Sequence, residues 1–426
     1  MRWVILALVL LASAISYMLR TNVSVLSESM STDLALSEVQ LGLIFSAFAA
    51  GYALFQFPGG LFGDRFGSRH ALAIIAIGWA VLTFASGLVP GPATWSVGAI
   101  VTMLVVTRFL VGVTHAPIFP IASGRVIALW FPVGKWGLPN GLISTGVTLG
   151  AALSAPLMVY LMVTYGWRNA LFFTAPLGLV VALLWWIVAR DKPAQHPSVT
   201  PAEQALIEAN KPPERAKSAP GEWKELLKNK DLLLLALSYF CMNYVFYLFF
   251  NWFFYFLVEV RGFGNEEAGG LVAALWIIGA VGATLGGLLC DMMIKRLGLR
   301  WGPASVAIVG LIACGAFLVA GAISEDAYLA VVLLCICFGF NQITEASYWS
   351  AAIAVSGDRA AEGTGIMNTG GNLVGLFGGV MVPFLAAQLG WTLAICTGAI
   401  FAVLGAITWM FVRADRPAVA VHRVPA

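Results

Sequence analysis

Charge is scarce in this chain: of 426 residues only 11% are Asp, Glu, Lys or Arg, against 60% hydrophobic residues. A soluble domain carries about 25% charged and about 45–50% apolar residues. A water-soluble fold of this length is therefore excluded, and lipid is the solvent. Cysteine is sparse too. The six (Cys241, Cys290, Cys314, Cys335, Cys337, Cys396) fall within or at the ends of apolar runs and show no metal-ligand or disulfide spacing. They read as small core residues, and Cys335 and Cys337 point to different helix faces. There is no Walker loop, no Gly-x-Ser-x-Gly and no His-Glu-x-x-His. ATP-driven pumping from this chain alone is excluded, and a membrane enzyme lacks catalytic residues. No metal and no cofactor are expected. The net charge of +3 gives no reason to invoke nucleic acid.

What is present is apolar length. Mean hydropathy is +0.88, and a spanning helix needs about 20 mainly apolar residues. Twelve segments qualify, roughly 3–27, 40–62, 71–89, 97–126, 137–163, 168–189, 232–258, 267–289, 302–322, 327–352, 363–385 and 390–412. The first runs on without a small-residue cleavage site and reads as a span, not a removable signal. The expectation is an all-α membrane protein of twelve transmembrane helices in two pseudo-symmetric six-helix bundles.

Basic residues set orientation, because Lys and Arg gather in cytoplasmic loops. Arg2, Arg65, Arg69, Arg125, Lys135, Lys295, Arg296, Arg300, Arg359, Arg413, Arg416 and Arg423 fall on one side. Arg190, Lys192, Lys211, Arg215, Lys217, Lys224, Lys228 and Lys230 in the central loop join them. The opposite side holds only Arg168 and Arg261, with acids such as Glu28, Asp33, Glu38, Glu266, Glu267, Glu325 and Asp326. Both termini are expected in the cytoplasm, in an inner (cytoplasmic) membrane; short loops suggest a bacterial source. Arg20 and Arg108 remain, inside or near helices one and four.

Residues 190–231, rich in Pro, Lys and Glu, separate six spans from six. The division is 1–189 for one bundle, 190–231 for a cytoplasmic linker with a short helix near 201–210, and 232–426 for the second bundle with a short tail. The halves repeat each other. Gly60-Leu-Phe-Gly-Asp64-Arg65-Phe-Gly67-Ser-Arg69 follows span two, and Gly287-Leu-Leu-Cys-Asp291 follows span eight. Gly141-Leu-Ile-Ser-Thr145-Gly146 opens span five, and Gly365-Ile-Met-Asn-Thr369-Gly370 opens span eleven. Asp64 to Asp291 is 227 residues and Thr145 to Thr369 is 224, so both matches fit one duplication. Glycines let helices approach closely. The acid and base of the Asp64/Arg65 loop can pair with each other and with a helix end across the cytoplasmic seam. Such a breakable network suits a seam that opens and closes; the alternative is a plain tight turn with solvated charges, which recurrence in both halves disfavours. Two like bundles with a site between them is the logic of alternating access.

The pattern resembles the major facilitator superfamily, and further runs resemble its anion:cation symporter branch, which includes sialin-like and bacterial sugar-acid transporters. The residues are Ser16-Tyr-Met-Leu-Arg20-Thr-Asn22-Val-Ser24, Arg108-Phe-Leu-Val-Gly112, Ala116-Pro117-Ile-Phe119-Pro120, Trp130-Phe131-Pro132, Gly166-Trp167-Arg168, and Asp191-Lys-Pro193 through Pro197 with Glu203 and Ile207. Resemblance runs through nearly the whole chain.

Ionisable groups at membrane depth cost about 2.5–3.5 kcal/mol each, so they are functional candidates. Hydropathy alone puts Arg20 near the outer surface, where its stem can snorkel. The resemblance instead implies a cavity arginine that grips a carboxylate with two hydrogen bonds. Tyr52 offers a phenol to a substrate oxygen or simply packs. Arg108 either pairs with a helix end or neighbouring helix, or touches substrate. The resemblance leads one to expect Glu at His115 and Asp at Leu19, and both carboxylates are missing. His115 can titrate near neutral pH in place of one, or pack as a neutral ring. Glu345 lies in the polar run Asn341-Gln342-Ile-Thr344-Glu345-Ala-Ser347-Tyr348-Trp349 of span ten. It reads as a proton carrier, as an arginine salt-bridge partner, or as a hydrogen-bonded acid near the cytoplasmic side. Asn372 resembles a cavity asparagine. Of Asn243, Tyr244, Tyr247, Asn251 and Trp252 on span seven, one or two are expected to reach the cavity.

The reading is a secondary transporter importing a small organic anion by proton symport and alternating access, working as a monomer in the bilayer. Arg20, Tyr52 and Asn372 bind substrate, His115 or Glu345 carries the proton, and Gly60, Asp64, Arg65, Gly67, Arg69 and Asp291 form the gate. A drug/proton antiporter or exporter would be indifferent to Arg20, and a non-transporting sensor would bind without flux.

Overall fold

A computed structural model describes residues 1–209 and 223–416, without the side chains of residues 38, 223, 265 and 376–380. Lys211, Arg215, Lys217, Arg423 and the side chain of Glu38 lie outside the described residues. Long apolar runs become helices because lipid offers no partner to a backbone amide, and a helix satisfies its amides internally. The first six are α1 (Arg2–Leu34), α2 (Glu38–Phe66), α3 (Ser68–Gly87), α4 (Val97–Trp130), α5 (Gly137–Tyr165) and α6 (Trp167–Val188). α7 (Lys230–Val260) follows. The stretch Asn265–Ile323 has 59 residues, about 88 Å at 1.5 Å per residue and far too long for one crossing. It turns back at Gly298, where φ is 75°, giving α8 (265–297) and α9 (299–323). α10 (Ala327–Ser356) is separated by the 3₁₀ turn Gly357–Arg359 from α11 (360–389), and α12 (Trp391–Trp409) completes the set. Among the described residues there is no strand. The fold is an all-α membrane fold, twelve transmembrane helices in two pseudo-symmetric six-helix bundles.

The repeat extends further than the motifs named above. Gly166 joins α5 to α6 at φ 84°, and Gly390 joins α11 to α12 at φ 81°, each followed by Trp. Only glycine enters this backbone region without strain.

The two halves meet along two interfaces, α2 against α11 and α5 against α8. Glycine makes both possible. A Cβ on Gly60 would strike the Ala361 carbonyl, and one on Gly287 would lie 2.7 Å from the Gly137 carbonyl. At the same end of the molecule each repeated aspartate caps a helix of the opposite half. Asp64 on α2 accepts from the Glu362 amide in the first turn of α11 at 3.1 Å. Asp291 on α8 accepts from the Gly137 and Leu138 amides in the first turn of α5 at 2.7 and 3.0 Å. Free amides and positive dipole at a helix start favour a carboxylate there.

The expected Asp64–Arg65 pairing is corrected. Asp64 pairs with Arg125 at 3.2 Å, while exposed Arg65 lies over the Phe66 ring. Pro117 and Pro120 remove two amides from α4, which continues through a π segment at Ala122–Ile127. This segment carries Arg125 to Asp64. Arg69 donates to the Trp186 carbonyl at the end of α6, and its amide bonds Asp191 at 2.8 Å. Gly67, at φ 79°, leaves no room for a Cβ against the Asp191 carboxylate.

The expected linker helix is present as Pro201–Glu208, started by the Thr200 side chain. Glu203 accepts from the Arg2 amide at 3.0 Å, tying the linker to the start of α1. On the far side Arg168 pairs with Asp33, and Arg261 donates to the Ala322 and Ser324 carbonyls at the end of α9. All six cysteines are free, five buried and Cys396 half-buried, and the Cys314 and Cys337 sulfurs approach to 3.5 Å.

Candidate functional site

Arg20 lies close to the midpoint of the 33-residue α1, well inside the membrane and not at its surface. Hydropathy alone misplaced it because α1 runs on through the polar residues after Arg20. Its guanidinium stands over four rings: Tyr52 at 4.5 Å, Tyr17 at 4.9 Å, Phe48 at 5.2 Å and, from the other half, Phe250 at 5.8 Å. Ring faces attract a cation and hold it in place without neutralising it. No carboxylate of the described residues pairs with Arg20.

Two chambers meet at this arginine. The smaller, of about 50 Å³, reaches toward the Asp64/Asp291 seam past Ser144, Thr148, Tyr239, Asn243, Glu345 and Trp349. The larger, of about 440 Å³, opens away from the seam, with exposed Ser24, Ser46 and Asn251 at its mouth. Arg20, Tyr52, Tyr247 and Asn372 line both and form the partition. Small-molecule sites are about 300–1,000 Å³, and one water needs about 10–15 Å³. The larger chamber therefore admits a small organic molecule in this conformation, and the smaller admits a few waters.

Tyr52 is 6% exposed, and its hydroxyl has no hydrogen-bond partner among the described residues. Asn372 is already engaged. Its amide donates to the Asn368 carbonyl at 2.9 Å and to Asn368 Oδ1 at 2.8 Å, and it accepts from the Tyr247 hydroxyl at 2.8 Å. Asn368 in turn donates to Gln56 of α2. A chain of hydrogen bonds thus crosses from α7 through α11 into the other half, directly beneath Arg20.

Glu345 lines the smaller chamber. Tyr239 and Trp349 donate to its Oε1 at 2.8 and 2.9 Å, and no base pairs with it among the described residues, so the salt-bridge alternative is corrected. His115 lines neither chamber. It is 1% exposed, against the Trp79 ring at 5.0 Å. Nδ1 lies 2.8 Å from the Val111 carbonyl and Nε2 3.2 Å from the Ser16 carbonyl of α1. A neutral imidazole can donate to one of these oxygens, and an imidazolium to both. Arg108 donates from Nη2 to the Arg20 carbonyl at 3.1 Å and lines the larger chamber.

Four of the five α7 residues reach a chamber, more than expected: Asn243, Tyr247, Asn251 and Trp252. Tyr244 turns away to bond Thr397 at 2.8 Å and stack on Phe401. Sequence reasoning missed Gln56 and Asn368, which join the halves, and Tyr239, which holds Glu345. Gln56 interrupts an apolar run, and that was the available signal for it; Asn368 is hidden among the Gly, Thr and Asn residues around it.

The Major Facilitator Superfamily family model matches residues 9–340 and again 283–425. The chain is 32% identical to the probable sulfoacetate transporter SauU of Cupriavidus necator, covering 91% of this chain and 88% of that one. It is 29% identical to the probable galactarate/D-glucarate transporter GudP of Bacillus subtilis, covering 91% and 86%. It is 30% identical to the hexuronate transporter of the same organism, covering 89% and 87%. These relatives are named as transporters and not as enzymes. Among solved structures, the proton:xylose symporter XylE shares the fold with a TM-score of 0.72 at 16% identity over 97% of this chain and 96% of that one. The twelve helices, the doubled cytoplasmic-type motif and the sequence match agree: this chain belongs to the Major Facilitator Superfamily.

Proposed function

We propose that this protein is a secondary transporter that imports a small organic anion across the inner membrane by proton symport. The observation that carries the reading is Arg20. It is a full positive charge at membrane depth, held by aromatic rings, without a counter-ion among the described residues, on the partition between two chambers. A buried charge without a partner is costly, and an anionic substrate supplies the partner. That the relatives are named for sulfoacetate, galactarate/D-glucarate and hexuronate supports the same class.

In this proposal both termini are cytoplasmic, so the larger chamber opens outward and the aspartate-capped seam is the closed cytoplasmic gate. The bundles 1–189 and 232–426, joined by the linker 190–231, rock against each other in a monomer. A carboxylate binds Arg20, and the free Tyr52 hydroxyl takes a substrate oxygen. Asn372 takes part by exchanging its Tyr247 or Asn368 bond for one to substrate. Inward opening separates α2 from α11 and α5 from α8. It breaks the Gln56–Asn368 bond and both aspartate caps, and enlarges the smaller chamber. Glu345, facing that chamber, carries the proton, and His115, pinned between α1 and α4, is the second coupling candidate.

The test is uptake into proteoliposomes of radiolabelled organic acids, with and without an inward proton gradient. Arg20→Ala should abolish uptake while leaving monodisperse, folded protein. Uptake at the wild-type rate by that variant refutes the binding role, and uptake of apolar cations by wild type moves the antiporter reading ahead.

A further inference from the structure

We infer that the transported anion carries two negative groups, and that Arg108 is the specificity-determining residue for the second. This rests on the organic-anion reading above and adds to it the number of charges. Among the described residues, the larger chamber is lined by two guanidiniums, Arg20 and Arg108, and by no acid. Both face one ring: their central carbons stand 5.2 and 5.0 Å from the centre of Phe48. They are therefore no further apart than those two distances laid end to end, a separation that a short dianion can bridge.

Arg108 is 3% exposed, yet its bonding is incomplete. Nη2 reaches the Arg20 carbonyl, while Nε is buried with no partner. No carboxylate of the described residues pairs with it. The neighbouring positions where an acid would neutralise it hold Leu19, fully buried, and His115, which is occupied with two carbonyls. Two like charges in one low-dielectric chamber repel each other as well as lacking partners. A ligand with one negative group relieves one arginine and leaves the other unpaired. A ligand with a carboxylate at one end and a carboxylate or sulfonate at the other relieves both. The rest of the chamber lining includes the Ser24 and Ser46 hydroxyls and the Asn251 amide, which suit a short, hydroxylated or unsubstituted body. The substrate class is thus a small dicarboxylate or sulfonated carboxylate.

The test compares short diacids and sulfonated acids with their monoamides, which keep the shape and remove one charge, by equilibrium binding to the purified full chain. Wild type should bind at least one diacid about 10-fold or more tighter than its monoamide, since a charged hydrogen bond is lost. Arg108→Gln should weaken that diacid on the order of 10–100-fold and leave the monoamide nearly unchanged. Arg108→Lys should restore most of the preference. The inference is overturned if wild type binds the monoamide as tightly as the diacid, or if Arg108→Gln weakens both equally. The wild-type comparison decides even where a variant fails to fold. Monoamide binding equal to the diacid and dependent on Arg20 sinks this inference alone; no binding of any acid sinks the carrier reading with it.

Discussion

The two six-helix halves match closely at the seam and hardly at all at the site. At the seam Asp64 caps α11 and Asp291 caps α5, each across the interface and each beside a glycine that allows backbones to touch. At the site the first half supplies the positive charge, Arg20 and Arg108, with no acid of the described residues lining the larger chamber. The second half supplies Glu345, the amides of Asn243, Asn368 and Asn372, and the phenols of Tyr239 and Tyr247. The difference has a physical cause. Under the proposed function, closing a gate between two like bundles is a symmetric task, so one device would serve twice. Holding a small asymmetric molecule and a proton is not symmetric, so the copies would diverge where ligand sits.

The largest effect that would break this comparison is at Arg20. Arg20→Ala should lower uptake of the best substrate by at least about 100-fold, the loss expected when a bidentate charged contact of roughly 3 kcal/mol disappears. A loss of tenfold or less would mean that the second half also binds the anion. Next is Glu345→Gln, which keeps the hydrogen bonds of size and shape but cannot carry a proton. Counterflow exchange should persist near the wild-type rate while pH-gradient-driven accumulation is lost. Accumulation that survives in Glu345→Gln and disappears in His115→Gln would return the proton to the first half.

The seam sharpens the comparison with smaller numbers. Asp291→Asn keeps one oxygen for two amides, and Asp64→Asn loses its charge pairing with Arg125. Each should shift the population toward the state open at the seam by about 5–10-fold, for about 1–1.4 kcal/mol of helix cap. Accessibility of a single engineered cysteine facing the seam reads this out. Equal shifts support a working symmetry, and a shift in only one variant shows that one copy has become ornamental. The smallest effect belongs to Gln56→Leu, which removes the bond to Asn368 between the halves. A shift of about 2–5-fold in the same direction is expected for one neutral hydrogen bond, and a shift the other way would mean that the bond holds the open state.

Much of the fold was legible in the sequence. In lipid, apolar length dictates helices, and the repeated glycine and aspartate motifs announced two related bundles. The glycine at 298, hidden inside 59 helical residues, was still readable as a break because no single crossing is that long. The site was legible in part. Arg20, Tyr52, Glu345, Asn372 and Arg108 stand out because charged and polar groups are expensive in a membrane, and the structure brings all five to the chambers. Composition cannot say who partners whom. Asp64 sits next to Arg65 in the chain, yet a helix points neighbours apart, and Asp64 meets Arg125 and Glu362 instead. His115, read from the sequence as a proton carrier or a packed neutral ring, faces Ser16 and Trp79 and lines neither chamber. The sequence by itself determined the solvent, the helices, their number and the duplication, since these follow from transfer energies summed along the chain. Tertiary structure alone decided that Arg20 and Arg108 share a chamber with no acid of the described residues, that Glu345 is held by phenol and indole, and that each aspartate caps a helix of the opposite bundle. Those are contacts between residues far apart in the chain, and only packing sets them.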